Sequence, residues 1–310
     1  MLWMTLIDAR ANFSPLMFPS FLPSSVDRLT EPESIEFASQ IQRTDIITSL
    51  LLQSIATSYV RQGAGGIPIV FLHGFDSSIL EFRRIIPIIA LHREVWAIDL
   101  LGFGFTERLP DCPFSSASIR THLEAFWHTK IQQPIILVGV SMGGAAAIEF
   151  TLKNPAAVDK LILIDSAGFT QPPAMGKFLI QPLGNLATNF LASPKVRQSV
   201  SEKAYFDRSF VTEDAQLCAA LHLEMPNWSE ALIAFTRSGG YGYLLDRLPA
   251  IQQETLILWG KQDRILGTKA AELFEKHLPK SQLKWIDNCG HVPHLEKAKI
   301  TADYILNFIK

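Results

Sequence analysis

Three side chains in this sequence have the types and flanking residues to carry out acyl transfer. Ser141 stands in Gly139-Val140-Ser141-Met142-Gly143, with the apolar run Pro134–Gly139 ahead of it and Gly144 and Ala145–Ala147 behind. A buried strand that turns sharply into a helix strains the turn residue, and neighbouring side chains would clash there. Glycines at 139, 143 and 144 leave the space, and the alanines let the helix lie close to its strand. The Ser141 hydroxyl is then lifted to a helix N-terminus, whose dipole favours a developing anion. The competing reading is a small-residue packing site that happens to contain a serine.

A serine hydroxyl needs a base. Of the eight histidines, His291 lies in Asn288-Cys289-Gly290-His291-Val292-Pro293-His294, directly after the last predicted strand. His294 begins the final helix and reads as a packing or capping residue. A carboxylate must hold the base in one tautomer. Asp263, in the loop after Leu256-Ile257-Leu258-Trp259-Gly260, is the candidate, and Asp165 is its rival. Asp99 reads as a turn anchor. The oxyanion needs two backbone donors, each typically worth about 3 kcal/mol at the transition state. Met142 N–H follows the nucleophile, and Phe75 N–H is the choice from His73-Gly74-Phe75-Asp76. His73 reads as a brace for that loop. His73, Gly74 and Tyr241 are also candidate substrate contacts, Tyr241 through the turn Ser238–Tyr241.

These groups need a scaffold that gathers them. Short β-rich runs recur at Ile46–Leu52, Ile55–Arg61, Ile67–Leu72, Val95–Asp99, Pro134–Gly139, Leu161–Asp165, Thr255–Gly260 and Leu283–Asp287. Several are continuously apolar, as strands buried on both faces of a parallel sheet are. Helical patterns alternate with them near Ser78–Leu91, Ser115–Ile131, Met142–Lys153, Thr268–His277 and His294–Lys310. The fold class is therefore α/β: about eight mostly parallel strands flanked by helices. Residues 1–45 form an N-terminal extension, in which Thr30 and Glu33 have capping-box spacing for a helix to about Gln42. The core spans residues 46–167 and 251–310. Residues 168–250 contain no good strand and read as a helical cap over the carboxyl edge of the sheet, where such sheets bind ligands.

Bulk properties narrow the function classes. The chain has 310 residues, 48% hydrophobic, with net charge −2. No bulk attraction to nucleic acid follows. Cys112, Cys218 and Cys289 form no CxxC or zinc spacing, so no metal or disulfide framework is expected, and a reducing compartment fits. Gly102-Phe103-Gly104 lacks the third glycine of a dinucleotide loop, and no cofactor is expected. MLWMTLIDAR has no basic leader and is interrupted by Asp8, which argues against secretion. The apolar, proline-punctuated residues 1–29 read either as a foot touching a membrane or as a segment packed over the core.

Together the elbow, the Ser141…Asp263…His291 order and the His73–Asp76 loop resemble the α/β-hydrolase superfamily from about Ile46 to Lys310. The resemblance implies attack by Ser141, proton transfer to His291, an acyl-enzyme and its hydrolysis by water. A nucleophilic serine sets the chain apart from the epoxide-hydrolase and haloalkane-dehalogenase branches.

A narrower set of segments is similar to the chlorophyll dephytylase family of plant chloroplasts and cyanobacteria. These are His73-Gly-Phe-Asp-Ser-Ser78, Ala97-Ile-Asp-Leu-Leu-Gly-Phe-Gly-Phe105, Glu107-Arg-Leu-Pro110, Ser238-Gly-Gly-Tyr241, Thr255-Leu-Ile-Leu-Trp-Gly260 and Asn288-Cys-Gly-His-Val-Pro-His-Leu-Glu-Lys297. That family cleaves the phytyl ester of chlorophyll. The elbow departs from it: GVSMGG stands where the family pattern has a proline after the first glycine and a Leu–Gly pair after the serine. The resemblance implies a monomer taking a hydrophobic, chlorophyll-like ester, in the cytoplasm or peripheral on a thylakoid membrane. Phe169, Met175, Phe178, Leu179, Ile180, Leu183, Leu186, Phe190 and Leu191 could wall a phytyl chain, each buried CH₂ yielding about 0.8 kcal/mol. A C–C bond or small-ester hydrolase shares the triad, and a non-catalytic ligand-binding relative shares the scaffold.

Overall fold

Uninterrupted β-branched and aromatic runs become strands, and their order places the chemistry-bearing loops side by side. The computed structural model describes residues 17–169 and 183–310. The strands are β1 (Gln42–Ile46), β2 (Ile55–Gln62), β3 (Ile69–Leu72), β4 (Val95–Ile98), β5 (Ile135–Val140), β6 (Val158–Ile164), β7 (Glu254–Gly260) and β8 (Ser281–Ile286). They form one sheet in the order β1-β2-β4-β3-β5-β6-β7-β8. β1, β2 and β4 pair antiparallel. All pairs from β4/β3 onward are parallel.

β3, β4 and β5 are buried along their whole length. Their side chains alternate between two cores: Val70, Leu72, Ile135 and Leu137 join one, and Ile69, Phe71, Ile136 and Val138 the other. The sheet is thus covered on both faces, which the period-2 geometry of a strand requires of such sequences. The chain runs from β3 outward to β4 and then returns to add β5 on the other side of β3. Loops leaving β3 and β5 therefore open a crevice at the point where the strand order reverses, the usual ligand position in an open α/β sheet.

The helices are α1 (Pro32–Ser39), α2 (Ile86–Ala90), α3 (Ser116–Phe126), α4 (Met142–Lys153), α5 (Leu183–Ala192), α6 (Pro194–Ala204), α7 (Glu213–Ala220), α8 (Trp228–Arg237), α9 (Lys269–His277), α10 (Pro293–Glu296) and α11 (Ala298–Phe308). α5 to α8 lie between β6 and β7 and form a cap; no strand occurs there among the described residues.

Several boundaries differ from the sequence reading. The first strand is Gln42–Ile46, not Ile46–Leu52. Ile46 pairs with Ile55, so residues 47–54 must turn the hairpin, and Ile47 and Leu52 are exposed. The expected helix to Gln42 stops at Ser39 because Gln42 is used by β1. The Thr30–Glu33 capping box does not form. Thr30 and Glu31 N–H donate instead to Asp214 Oδ1 of α7, at 2.6 and 2.9 Å. The run Ser78–Leu91 divides into a 3-10 turn, Ile79–Phe82, and the short α2. The final helix breaks at Lys297, whose φ of −129° is non-helical.

Phe18 and Phe21 pack against the core, and Leu22, Val26 and Leu29 are buried in it. Residues 1–16 lie outside the described residues, as do the expected cap-wall residues Met175, Phe178, Leu179 and Ile180 and the side chain of Leu183. Leu186 and Phe190 are 64% and 65% exposed and are not covered by other described residues. Phe169 and Leu191 pack partly buried against the core.

Candidate active site

The elbow is built from the clash pattern of its glycines. Ser141 takes φ 51° and ψ −117°, a conformation L-residues seldom occupy. Its backbone is fixed on both sides. Ser141 N–H donates to Ile164 O of β6 at 3.0 Å, and its carbonyl accepts from Gly144 and Ala167 at 2.9 Å. A Cβ on Gly139 would meet Gly143 O at 2.3 Å, one on Gly143 would meet Leu72 O at 2.1 Å, and one on Gly144 would meet Ser166 Oγ at 2.1 Å. Glycine is thus required at all three positions for α4 to rise this close to β3, β5 and β6. Gly139 is level with Leu72 in the parallel register, so the loop after β3 starts beside the serine.

The base and acid come from the ends of β8 and β7, which are level at Gly260 and Ile286. A Cβ on Gly260 would lie 1.9 Å from Gly290 O, so glycine there lets the two loops touch. His291 Nδ1–H donates to Asp263 Oδ2 at 2.9 Å. Asp263 Oδ1 accepts from Ile265 and Leu266 N–H at 2.7 and 3.1 Å. Burial alone would raise the Asp263 pKa. The bond from His291, that residue's charge and the two amides outweigh it and hold the carboxyl below its ordinary range.

Asp165, the rival, accepts from Gly260 N–H at 3.1 Å, and its pKa is pushed well up, first by burial and then by the charge of Asp263. Of the two neighbouring carboxyls, Asp165 is thus the one that holds its proton more tightly and Asp263 the one that gives it up more readily. Asp165, Asp263 and His291 hold ligand-type atoms within 4.8 Å of one another. Asp263 Oδ2 and His291 Nδ1 are already bonded to each other, so the set suits a proton relay better than a cation.

The loop after β3 is braced from below. His73 is fully buried; its Nδ1 donates to Gly74 O at 2.8 Å and its Nε2 accepts from Leu100 N–H at 3.0 Å. Burial lowers its pKa to about 3, so it stays neutral. Glu81 accepts from Gly74 N–H at 3.1 Å and from Ser77 Oγ at 2.5 Å, and burial raises its pKa to about 8. Asp99 accepts from Ile79 and Phe105 N–H, anchoring the next loop. His294 is buried against Phe82 and is kept neutral by that burial. Neither the Phe75 nor the Met142 amide donates to a protein acceptor among the described residues.

Ser141, His291, Gly74 and Phe75 line one cavity of about 280 Å³. Met142 is buried at the first turn of α4. Two proposed substrate contacts fall elsewhere. His73 is sealed behind the loop it braces and does not reach the cavity. Tyr241 packs on Phe235, ring centres 6.0 Å apart, with its hydroxyl buried and unpartnered among the described residues. That burial pushes its pKa far up.

The sequence reading gave no role to Asp76, Glu81, Arg197, His222 or Trp228, all tied to the β3 loop. The one signal for Asp76 was its place after Phe75; the partners come from distant cap segments.

The residues from 67 to 298 match the family model described as alpha/beta hydrolase fold. The chain is 32% identical over 300 residues to the alpha/beta hydrolase domain-containing protein VTE7 of Arabidopsis thaliana, covering 94% of this chain and 90% of that protein. It is 27% identical to a 2-hydroxy-6-oxo-2,4-heptadienoate hydrolase of Pseudomonas putida, over 80% of this chain and 90% of that one. A thermophilic esterase from Thermogutta terrifontis superposes with a TM-score of 0.74 at 22% identity, covering 86% of this chain and 98% of that chain.

Proposed function

The chain belongs to the α/β-hydrolase family and is a serine hydrolase, and from that premise we propose that it cleaves carboxylic esters of bulky hydrophobic alcohols, phytylated chlorophyll or pheophytin first among them. The observation that carries the reading is the strained Ser141 sharing one cavity with His291, whose Nδ1 proton is already bonded to Asp263. In this reading Ser141 Oγ attacks the acyl carbon as its proton passes to His291 Nε2. Phe75 and Met142 N–H stabilise the oxyanion. The imidazolium, held by Asp263, then protonates the leaving alcohol. Water repeats the sequence in reverse on the acyl-enzyme.

The choice of ester rests on the dephytylase-like segments, HGFDSS at residues 73–78 foremost. Phe75 lines the cavity, 46% exposed, and is backed by the buried rings of Phe103 and Phe235 at 5.9 and 6.2 Å, which gives the cavity one aromatic face. A second reading, hydrolysis of a C–C bond, is favoured by the ring-fission-type relative.

The test is chromatography of products after incubation with chlorophyll a and pheophytin a, alongside short-chain nitrophenyl esters and a 2-hydroxy-6-oxo-dienoate. Free phytol is the expected product. Turnover of nitrophenyl esters alone would replace the phytyl ester by a small one, and turnover of the dienoate alone would support the second reading. Ser141→Ala should abolish release and fluorophosphonate labelling; full turnover in that variant would remove Ser141 from the mechanism.

A further inference from the structure

Helix α6 of the cap touches the two loops that carry the chemistry, one near each end. Arg197, in its first turn, donates from Nη1 to Asp76 Oδ2 at 2.6 Å. Ala204, its last residue, accepts the His291 N–H at 2.7 Å. A Cβ on Gly290 would lie 2.1 Å from that same Ala204 carbonyl, so the base loop lies directly against the end of the helix. α6 has no buried residue. With no side chain wholly buried, the helix is tied to both loops by these polar contacts.

Asp76 is an unusual terminus for such a contact. It follows Phe75, is 7% exposed and holds a left-handed φ of 49°. Besides Arg197, its Oδ1 accepts from Trp228 Nε1 at 2.8 Å and faces His222 Nε2 at 3.1 Å. Arg197 also reaches the Asp76 carbonyl at 3.4 Å and the Ala219 carbonyl. One buried carboxylate thus gathers donors from three separate cap segments. Burial would raise its pKa, but these partners outweigh it and hold it ionised. On its inner side the same loop is tied through Gly74 and Ser77 to Glu81. The peptide that presents Phe75 N–H is therefore held between a core anchor and a cap anchor.

We propose that Asp76 is a positioning residue, through which α6 sets the Phe75 amide in line with Ser141 and His291. The cap is then part of the catalytic apparatus as well as a cover. Displacing α6 releases the oxyanion loop at one end and the base loop at the other, so the site is fully assembled only when the cap is seated. The inference rests on the serine-hydrolase reading above.

The test uses the full chain and p-nitrophenyl butyrate, with Asp76→Asn, Arg197→Met and Arg197→Lys compared with the wild type. The readouts are kcat, KM, inhibition by an alkyl trifluoromethyl ketone, which forms a tetrahedral oxyanion on serine, and melting temperature. Misplacing one oxyanion donor should lower kcat about 10- to 100-fold. KM should stay within about threefold, and the ketone should lose affinity by the same factor as kcat. Arg197→Lys should recover most of the loss.

A merely structural clasp would lower the melting temperature and leave kcat below it untouched; that result overturns the proposal. A rise in KM alone also overturns it. Arg197→Met keeps the test alive if Asp76→Asn does not fold. Wild-type turnover with unaffected variants defeats this inference alone, whereas a wild type that neither turns over ester nor labels with a fluorophosphonate defeats it together with the hydrolase reading.

Discussion

Replacing Ser141 by glycine should make the protein more stable than replacing it by alanine, although both lose activity. Ser141 holds φ 51° and ψ −117° because its amide and carbonyl are bonded to Ile164, Gly144 and Ala167. A non-glycine residue in so sparsely populated a region stores about 1–3 kcal/mol. Alanine keeps the Cβ and therefore the strain. Glycine releases it but gives the unfolded chain extra freedom, costing about 0.4–1 kcal/mol. The side chain lines the cavity, so neither variant leaves a sealed void. The difference between the variants is about 0.5–2 kcal/mol in favour of glycine. For 310 residues, with unfolding entropy of about 2.1 cal/mol/K per residue, that is about 1–3 °C in melting temperature. Calorimetry of the two variants at one pH, with ester turnover as a control for inactivity, measures it. A glycine variant that melts at or below the alanine variant would show that the elbow carries no stored strain.

Two further perturbations separate neighbouring carboxyls. Asp263→Asn should cut kcat by about 10⁴-fold while the protein melts near the wild-type temperature, because the imidazolium loses the charge that stabilises it. A fall below about tenfold in steady-state assays would transfer the orienting role to Asp165. Glu81, with its pKa raised by burial to about 8 against an ordinary 4.5, keeps its proton in the folded state while the unfolded chain gives its proton up. Its contribution is intact below about pH 4.5 and declines by about 1.4 kcal/mol per unit as pH rises toward 8. Glu81→Gln should flatten the stability profile across that window in denaturant titrations, and an unchanged slope would show that Glu81 ionises freely in the folded protein.

The fold was legible where one residue type dictates one geometry. The continuous apolar runs expected as buried strands at Ile67–Leu72 and Pro134–Gly139 are β3 (Ile69–Leu72) and β5 (Ile135–Val140). Boundaries failed where pairing overrode local composition. The run at Ile46–Leu52 is as apolar as a strand, yet a hairpin closing at Ile46 and Ile55 turns it into a loop. Capping at α1 failed for a related reason: Asp214, more than 180 residues away, accepts the Thr30 N–H that the Glu33 carboxylate was expected to accept, together with the Glu31 N–H.

By itself the sequence singled out Ser141, Asp263 and His291 as the candidates for the chemistry. A serine between glycines has few other uses at a strand-to-helix turn, and the clashes at Gly139, Gly143 and Gly144 bear out why nothing larger fits. The sequence narrowed the partner of His291 to Asp263 or Asp165, and the structure shows the bond to Asp263, in loops that leave β7 and β8 side by side. Only the tertiary structure decided what holds those groups still. Asp76 meets Arg197, His222 and Trp228 across 121 to 152 positions, and no local periodicity encodes contacts between a loop and the far side of an inserted cap. It likewise decided that His73 braces and Tyr241 packs: burial, unlike residue type, is a property of the whole chain's path and exists only once that path has closed.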